Sequence, residues 1–179
     1  MSGAESEIVK LASVTLTRDK QDRIEPEFGR YASATNYVIK VILKEHFPSG
    51  SKTLEHVRED FSNRFDKREQ YLRDVVKTAW VEVGRHRRLA EIVSSMRNKP
   101  PVFKEGRMIL SHPIVRVQEK GLNLETQDRN TIPIPFDKPS RNRAASQLHE
   151  LATGRKKQGR VRMTWIREGY MTIDIRMDI

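Results

Sequence analysis

Cysteine is absent from the 179 residues, which excludes a disulfide framework, a cysteine-liganded zinc and a thiol nucleophile, and suits an intracellular setting. No apolar run approaches the roughly 20 residues a helix needs to cross a bilayer. The first ten residues, MSGAESEIVK, are polar and acidic where a secretory leader would be basic and then apolar. The expectation is a soluble, cytoplasmic protein with no membrane partner. Aromatic residues make up only 7% of the chain, which leaves little material for a platform of stacked bases. Catalytic motifs are missing as well. The five histidines, His46, His56, His86, His112 and His149, are scattered without the spacing of a metal site. There is no G-x-S-x-G elbow, phosphate loop or dinucleotide fingerprint. Asp174 and Asp178 fall on one polar strand face, and a solvated surface accounts for them better than a bound cation. No catalytic residue, metal or cofactor is expected.

What the chain does have is positive charge. Lys and Arg number 34 against 24 Asp and Glu, for a net charge of +10 and a pI near 10.0. A charged fraction of 32% and a mean hydropathy of -0.69 lean towards disorder, but the apolar residues recur periodically, which favours a fold. The excess is also localised. Residues 1–50 carry seven basic against seven acidic side chains, 51–100 twelve against eight, 101–150 eight against six and 151–179 seven against three. Such a footprint suits a polyanionic partner.

The apolar periods divide the chain. Ala12, Val14 and Leu16 alternate with Ser13, Thr15 and Thr17, with Leu11 breaking the pattern at its start, which suits an edge strand followed by a turn at KQDR (20–23). From Pro26 the spacing becomes helical, with Phe28, Tyr31, Thr35, Val38 and Ile42 on one stripe, thickened by Ile39 and Leu43. After the break at Phe47-Pro48-Ser49-Gly50, Thr53 can cap a second helix that buries Leu54, Val57, Phe61 and Phe65. A third pattern starts near Asp66 with Leu72, Val76, Ala79, Trp80 and Val83. It repeats with Leu89, Ile92, Val93 and Met96, and Gly84 between the two sets leaves one helix or two. It stops at Asn98, since Lys99 precedes Pro100 and Pro101.

Strand patterns follow. Met108 and Leu110 flank Ile109; Val115 and Val117 alternate, as do Leu122 and Leu124. Ile132, Ile134 and Phe136 alternate with Thr131, Pro133 and Pro135, which restricts that segment to a sheet edge or an extended loop. A short helix over 143–152 ends at Gly154. The end of the chain reads as a β-hairpin: Val161, Met163 and Trp165, a turn at Arg167-Glu168-Gly169, then Met171, Ile173, Ile175, Met177 and Ile179. Helices followed by strands give an α+β class.

Three basic groups stand out as phosphate contacts. The first is Arg85, Arg87 and Arg88 with His86 among them, and the second is Lys138, Arg141 and Arg143 in KPSRNR. The third, Arg155, Lys156, Lys157, Arg160 and Arg162 in RKKQGRVR, contains no interleaved acid and leads from a glycine-bounded connection into a strand. Tyr170, on the polar face of the hairpin, is the aromatic best placed to stack on a base.

The motif KPPVFKEGR (99–107), with Pro101, Phe103 and Lys104, resembles the junction between recognition helices and strands in TnpB/OrfB-type transposon-encoded RNA-guided nucleases, relatives of type V CRISPR effectors. Tyr31 and Asn36 match a tyrosine and an asparagine on that family's first helix, and the order of elements is similar along almost the whole chain. The resemblance implies a small antiparallel β-barrel, the wedge domain, built from residues 1–23 and 99–179, with a helical recognition lobe, 24–98, inserted between them. It implies that Lys99, Lys104 and Arg107 lie against guide RNA. The G-I-D-x-G acid of the RuvC-type site, its later glutamate and aspartate and the four-cysteine zinc ribbon have no counterpart here. Two-metal hydrolysis needs converging carboxylates, so the chain is not expected to cut nucleic acid. It is expected to hold a structured, guide-like RNA without catalysis, either as a domesticated half or beside a separately encoded nuclease. The alternatives are a subunit of a larger ribonucleoprotein such as the ribosome, and a DNA-binding regulator derived from a transposon protein.

Overall fold

Period-2 and period-3.6 segments alternate along residues 6–178, the part of the chain that the computed structural model describes. The order is β1 (Ser6–Ala12), α1 (Arg18–Glu45), α2 (Gly50–Arg64), α3 (Glu69–Ile92), a 3-10 turn (Ser94–Met96), β2 (Arg107–Leu110), β3 (Val115–Val117), β4 (Gly121–Glu125), β5 (Thr131–Pro135), α4 (Lys138–Arg143), α5 (Ala145–Ala152), β6 (Lys157–Ile166) and β7 (Tyr170–Asp178). The protein is α+β, with two antiparallel sheets. Two compact units share the chain, Met1–Phe28 with Gly106–Ile179 and Gly29–Glu105. The breaks thus fall at 28/29 and 105/106, where 23/24 and 98/99 are expected from sequence.

In the first unit the strand orders are β1-β7-β6-β2 and β3-β4-β5. Alternation selects the core: Val9 and Leu11 of β1, Val161 and Met163 of β6, and Met171, Ile173, Ile175 and Met177 of β7 are all buried. Leu122, Leu124, Ile132 and Ile134 do the same in the smaller sheet. Burying a side chain of this size contributes about 1.5–3 kcal/mol, which makes the hairpin's odd-numbered face the anchor of the unit. The tight turn depends on Gly169, which has a φ of +95°, where a side chain would be strained.

The expected barrel is not formed; among the described residues the two sheets do not close on each other. On one side they meet through a single bridge, Ser13 to Phe136, extended by the Val14 N–H donating to the Pro135 carbonyl at 3.0 Å. On the other side a side chain replaces the ladder. The Gln158 amide donates to the Val115 carbonyl at 2.8 Å and accepts from the Val117 N–H at 3.1 Å. The reason is a shortage of regular backbone donors. Pro113 interrupts the run from β2 to β3, Pro133 and Pro135 have no N–H, and the β6–β7 register shifts between Gln158 and Val161.

Two other expectations are corrected at the N-terminal end. Leu11 belongs to the core, opposite Ile173, while Val14 is 37% exposed; β1 therefore buries the opposite parity to the one its Ala/Val/Leu alternation suggests. The segment KQDR is helix rather than turn. Thr17 starts α1, its hydroxyl accepting from the Lys20 N–H at 3.3 Å, and Pro26 lies inside the helix. The short helix expected over 143–152 is a pair, α4 and α5, with Asp137 capping the first by accepting from the Ser140 N–H at 2.9 Å.

The second unit packs the rest of α1 with α2 and α3. Ser49, not Thr53, caps α2; Thr53 is buried, donating to the Ser49 carbonyl at 3.1 Å and accepting the Trp80 indole N–H at 3.0 Å. α3 starts at Glu69, three residues after Asp66, runs unbroken through Gly84 and ends at Ile92. Its buried stripe stops at Val83, so Leu89, Ile92 and Val93 keep helical spacing but stay exposed, Ile92 to 83%. Residues 99–105 of the junction belong to this unit, and Phe103 is fastened in it. The Asn36 side chain donates to the Phe103 carbonyl at 3.0 Å and accepts the Phe103 N–H at 2.8 Å, and the Phe103 ring meets Tyr31 edge-on at 5.6 Å. Among the described residues no helix is long and apolar enough to cross a membrane.

Candidate nucleic-acid interface

Because the odd residues of β7 are buried, Tyr170, Thr172, Asp174, Arg176 and Asp178 form its outward face. Pairing extends that face in rows. Lys10 of β1 stands opposite Asp174, Asp174 opposite Arg162 of β6, and Arg162 opposite Ile109 of β2. The next row reads Ala12, Thr172, Thr164 and Arg107. Lys157 faces Asp178, Ile8 faces Arg176 and Tyr170 faces Ile166. Directly opposed residues have Cβ atoms about 4.5–5.5 Å apart, and on this face each cation stands opposite a carboxylate, a polar or an apolar residue. The cations themselves meet on diagonals, as Arg107 with Arg162 and Lys10 with Arg176, about 7–8 Å apart. At its edge Arg143 of α4 donates to the Lys10 carbonyl at 3.1 Å, which places a further guanidinium beside the Lys10–Asp174–Arg162 row.

The two carboxylates on this face are counter-charges. Asp174 lies between Lys10 and Arg162, and Asp178 is 3.7 Å from the Arg176 guanidinium. No group of three metal-ligating side chains occurs among the described residues.

Compared with protein-family models and with curated proteins, the chain matches none. The reading of the site therefore rests on its own geometry.

The sequence-predicted residues separate into several groups. Arg107, Lys157, Arg162 and Tyr170 share the outward sheet face, with Arg143 at its edge. Lys156 does not join them. Its ammonium lies 3.1 Å from Glu150 and 3.7 Å from Glu7, and the hydrogen bond to Glu150, with Glu7 adding to it, holds its pKa above the usual lysine value. Arg160 sits at the bulge and donates to the Ile109 carbonyl at 3.4 Å. Arg155 is exposed in the turn before β6, Lys138 is exposed in the first turn of α4, and Arg141 is half-buried.

Arg85, Arg87, Arg88, Lys99 and Lys104 belong to the second unit. There, Arg85 pairs with Glu82 at 3.2 Å. Arg87 and Lys99 line one groove of about 760 Å³ together with His86 and Arg97, so the helix cluster and the proline junction meet although twelve positions separate Arg87 from Lys99 in sequence. Lys104 is exposed beside the fastened Phe103.

Sequence reasoning passed over Lys10, Arg176 and Arg97. Arg176 was available from its position between Ile175 and Met177. Lys10 was hidden by the wrong strand phase, while Arg97 stands two positions before the candidate Lys99.

Proposed function

We propose that this chain is a non-catalytic RNA-binding protein of the cytoplasm, a counterpart of the guide-holding half of TnpB-type nucleases without the nuclease. The observation that supports the reading best is the outward face of the four-stranded sheet, where Lys10, Arg107, Lys157, Arg162 and Arg176 are set against two carboxylates, with Tyr170 beside them. A-form RNA is recognised largely by its shape and backbone. Cations fixed to the regular spacing of a sheet suit that task, since they contact phosphates without reading bases.

Lys10, Arg162 and Arg176 are exposed, so replacing all three by Ala leaves the core untouched. The triple variant is expected to bind a structured RNA at least about tenfold more weakly, with the slope of log K against log salt reduced by about 2–3, because each lost phosphate contact removes about 0.7–0.9. Unchanged affinity and slope would sink the proposal. Tighter binding of duplex DNA than of RNA at equal salt would favour the DNA-binding regulator, and co-sedimentation with ribosomal particles in high salt would favour the ribonucleoprotein subunit.

A further inference from the structure

The second unit holds an aromatic side chain in a setting that its core packing does not require. Trp80 keeps its indole edge fixed by the hydrogen bond from Nε1 to Thr53 Oγ1, at 3.0 Å. The ring is only half-buried and lines a groove between α2 and α3 of about 430 Å³, shared with Arg73, Val76 and Lys77 of α3 and with Gly50 and Leu54 of α2. That volume lies within the range of about 300–1,000 Å³ usual for small-ligand sites.

Three features define the chemistry of the groove. The first is an indole that is already ordered, so a partner stacking on it does not have to fix its rotamer. The second is spacing: Arg73, Lys77 and Trp80 follow one another at i, i+4 and i+7 on α3, which sets two cations along the same helix face as the ring. Arg73 is 3.3 Å from Glu69, a carboxylate already bonded to Arg58 at 2.6 Å. Arg73 and Lys77 are both exposed. The third is Gly50, whose missing side chain leaves space next to the indole; a Cβ there would lie 3.7 Å from Trp80 Cδ1, and a longer side chain would begin to fill the groove.

An aromatic face flanked by cations along a helix matches an unpaired nucleotide, whose base stacks while its phosphate meets the cations. We infer that this groove binds one unpaired base of a single-stranded RNA segment, with Trp80 as the stacking surface and Arg73 and Lys77 as the phosphate contacts. This inference rests on the RNA-binding reading for its ligand class, but it concerns a different surface and a different form of RNA.

The test uses the full chain with Trp165 replaced by Phe, which leaves Trp80 as the only indole, since Trp165 packs on Phe28 in the first unit. A short oligoadenylate should quench Trp80 fluorescence in a saturable way, whereas adenosine, which has the base without the phosphate, should do so only at far higher concentration. Arg73→Glu with Lys77→Glu, two surface changes, should abolish that quenching while the circular dichroism spectrum stays the same. Trp80→Leu should weaken binding of a labelled oligoadenylate, read by anisotropy, by about fivefold or more, in line with one stacked base. The Lys10, Arg162 and Arg176 triple Ala variant should keep full quenching, so failure of the sheet-face proposal and failure of this one are separable. Absence of quenching by oligoadenylate, quenching that survives the double charge reversal, or adenosine binding as tightly as the oligonucleotide would each overturn the inference.

Discussion

Asp66→Ala is expected to destabilise the helical unit by about 3–5 kcal/mol, because it removes a buried carboxylate that pairs with a buried cation. Asp66 is 2% exposed and Arg68 6%. The carboxylate accepts the Arg68 backbone N–H at 2.9 Å, its Nε at 3.0 Å and its Nη2 at 2.8 Å, and it also accepts Arg30 Nη2 at 3.3 Å. Both guanidinium groups lie within cation–π range of the Tyr71 ring, at 5.4 Å for Arg30 and 5.1 Å for Arg68. One acid thus pairs with two bases and fixes the chain as it enters α3. Removing the acid takes three hydrogen bonds and a counter-charge from Arg68 in a low-dielectric site. Urea unfolding followed by circular dichroism measures the effect. Asp66→Asn, which keeps an acceptor, should fall between wild type and Ala, and a loss below about 1 kcal/mol for Ala would contradict the assignment of this network as a buried ion triad.

Phe103→Ala should cost a similar amount, about 3–5 kcal/mol. Phe103 is 1% exposed, and its ring fills the space against Tyr31, which in turn meets Tyr71 at 5.9 Å and bonds through its hydroxyl to Thr78 at 2.7 Å. Its backbone is bound in both directions by Asn36. Asn36→Ala would leave that N–H and carbonyl without the amide, at a further cost of about 1–3 kcal/mol for groups shielded from water. Because the two residues share one attachment, the double variant should lose less than the sum of the singles. Additive losses would show that ring packing and the amide clasp act independently. Tyr31, Asn36 and Phe103 thus form one joint that holds the segment after α3 against α1.

Much of the fold is legible in the sequence where one period operates alone. The β6–β7 hairpin is of this kind, since its two apolar series share one parity and a glycine marks the turn. The stripe Phe28, Tyr31, Thr35, Val38 and Ile42 is another. β1 is not, because IVKLASVTL carries apolar residues on both parities and only pairing with β7 chooses Val9 and Leu11. The start of α1 is hidden because Arg18 to Arg23 is polar throughout, although Ile24 stands four residues before Phe28 on the same stripe. The seams between the sheets depend on one glutamine and several prolines, and no periodicity reports them.

The site divides in the same way. Arg162 and Tyr170 follow from strand alternation. Lys156 reads as free because its partners lie outside the run 155–162, Glu150 on the preceding helix and Glu7 on β1. The apolar spacing gives no sign that Asp66 and Arg68 are buried, yet both are. Trp80 falls on an apolar stripe and reads as core, and only the structure shows it half-buried at the wall of a groove.

The central claim is that the chain carries a structured RNA, and the most direct measurement is to isolate it from its native cells in gentle salt and sequence the nucleic acid that comes with it. The account predicts one dominant structured RNA, released as salt is raised and lost from the Lys10, Arg162 and Arg176 triple Ala variant. A preparation free of RNA, or one in which duplex DNA predominates and the triple variant retains it, would contradict it.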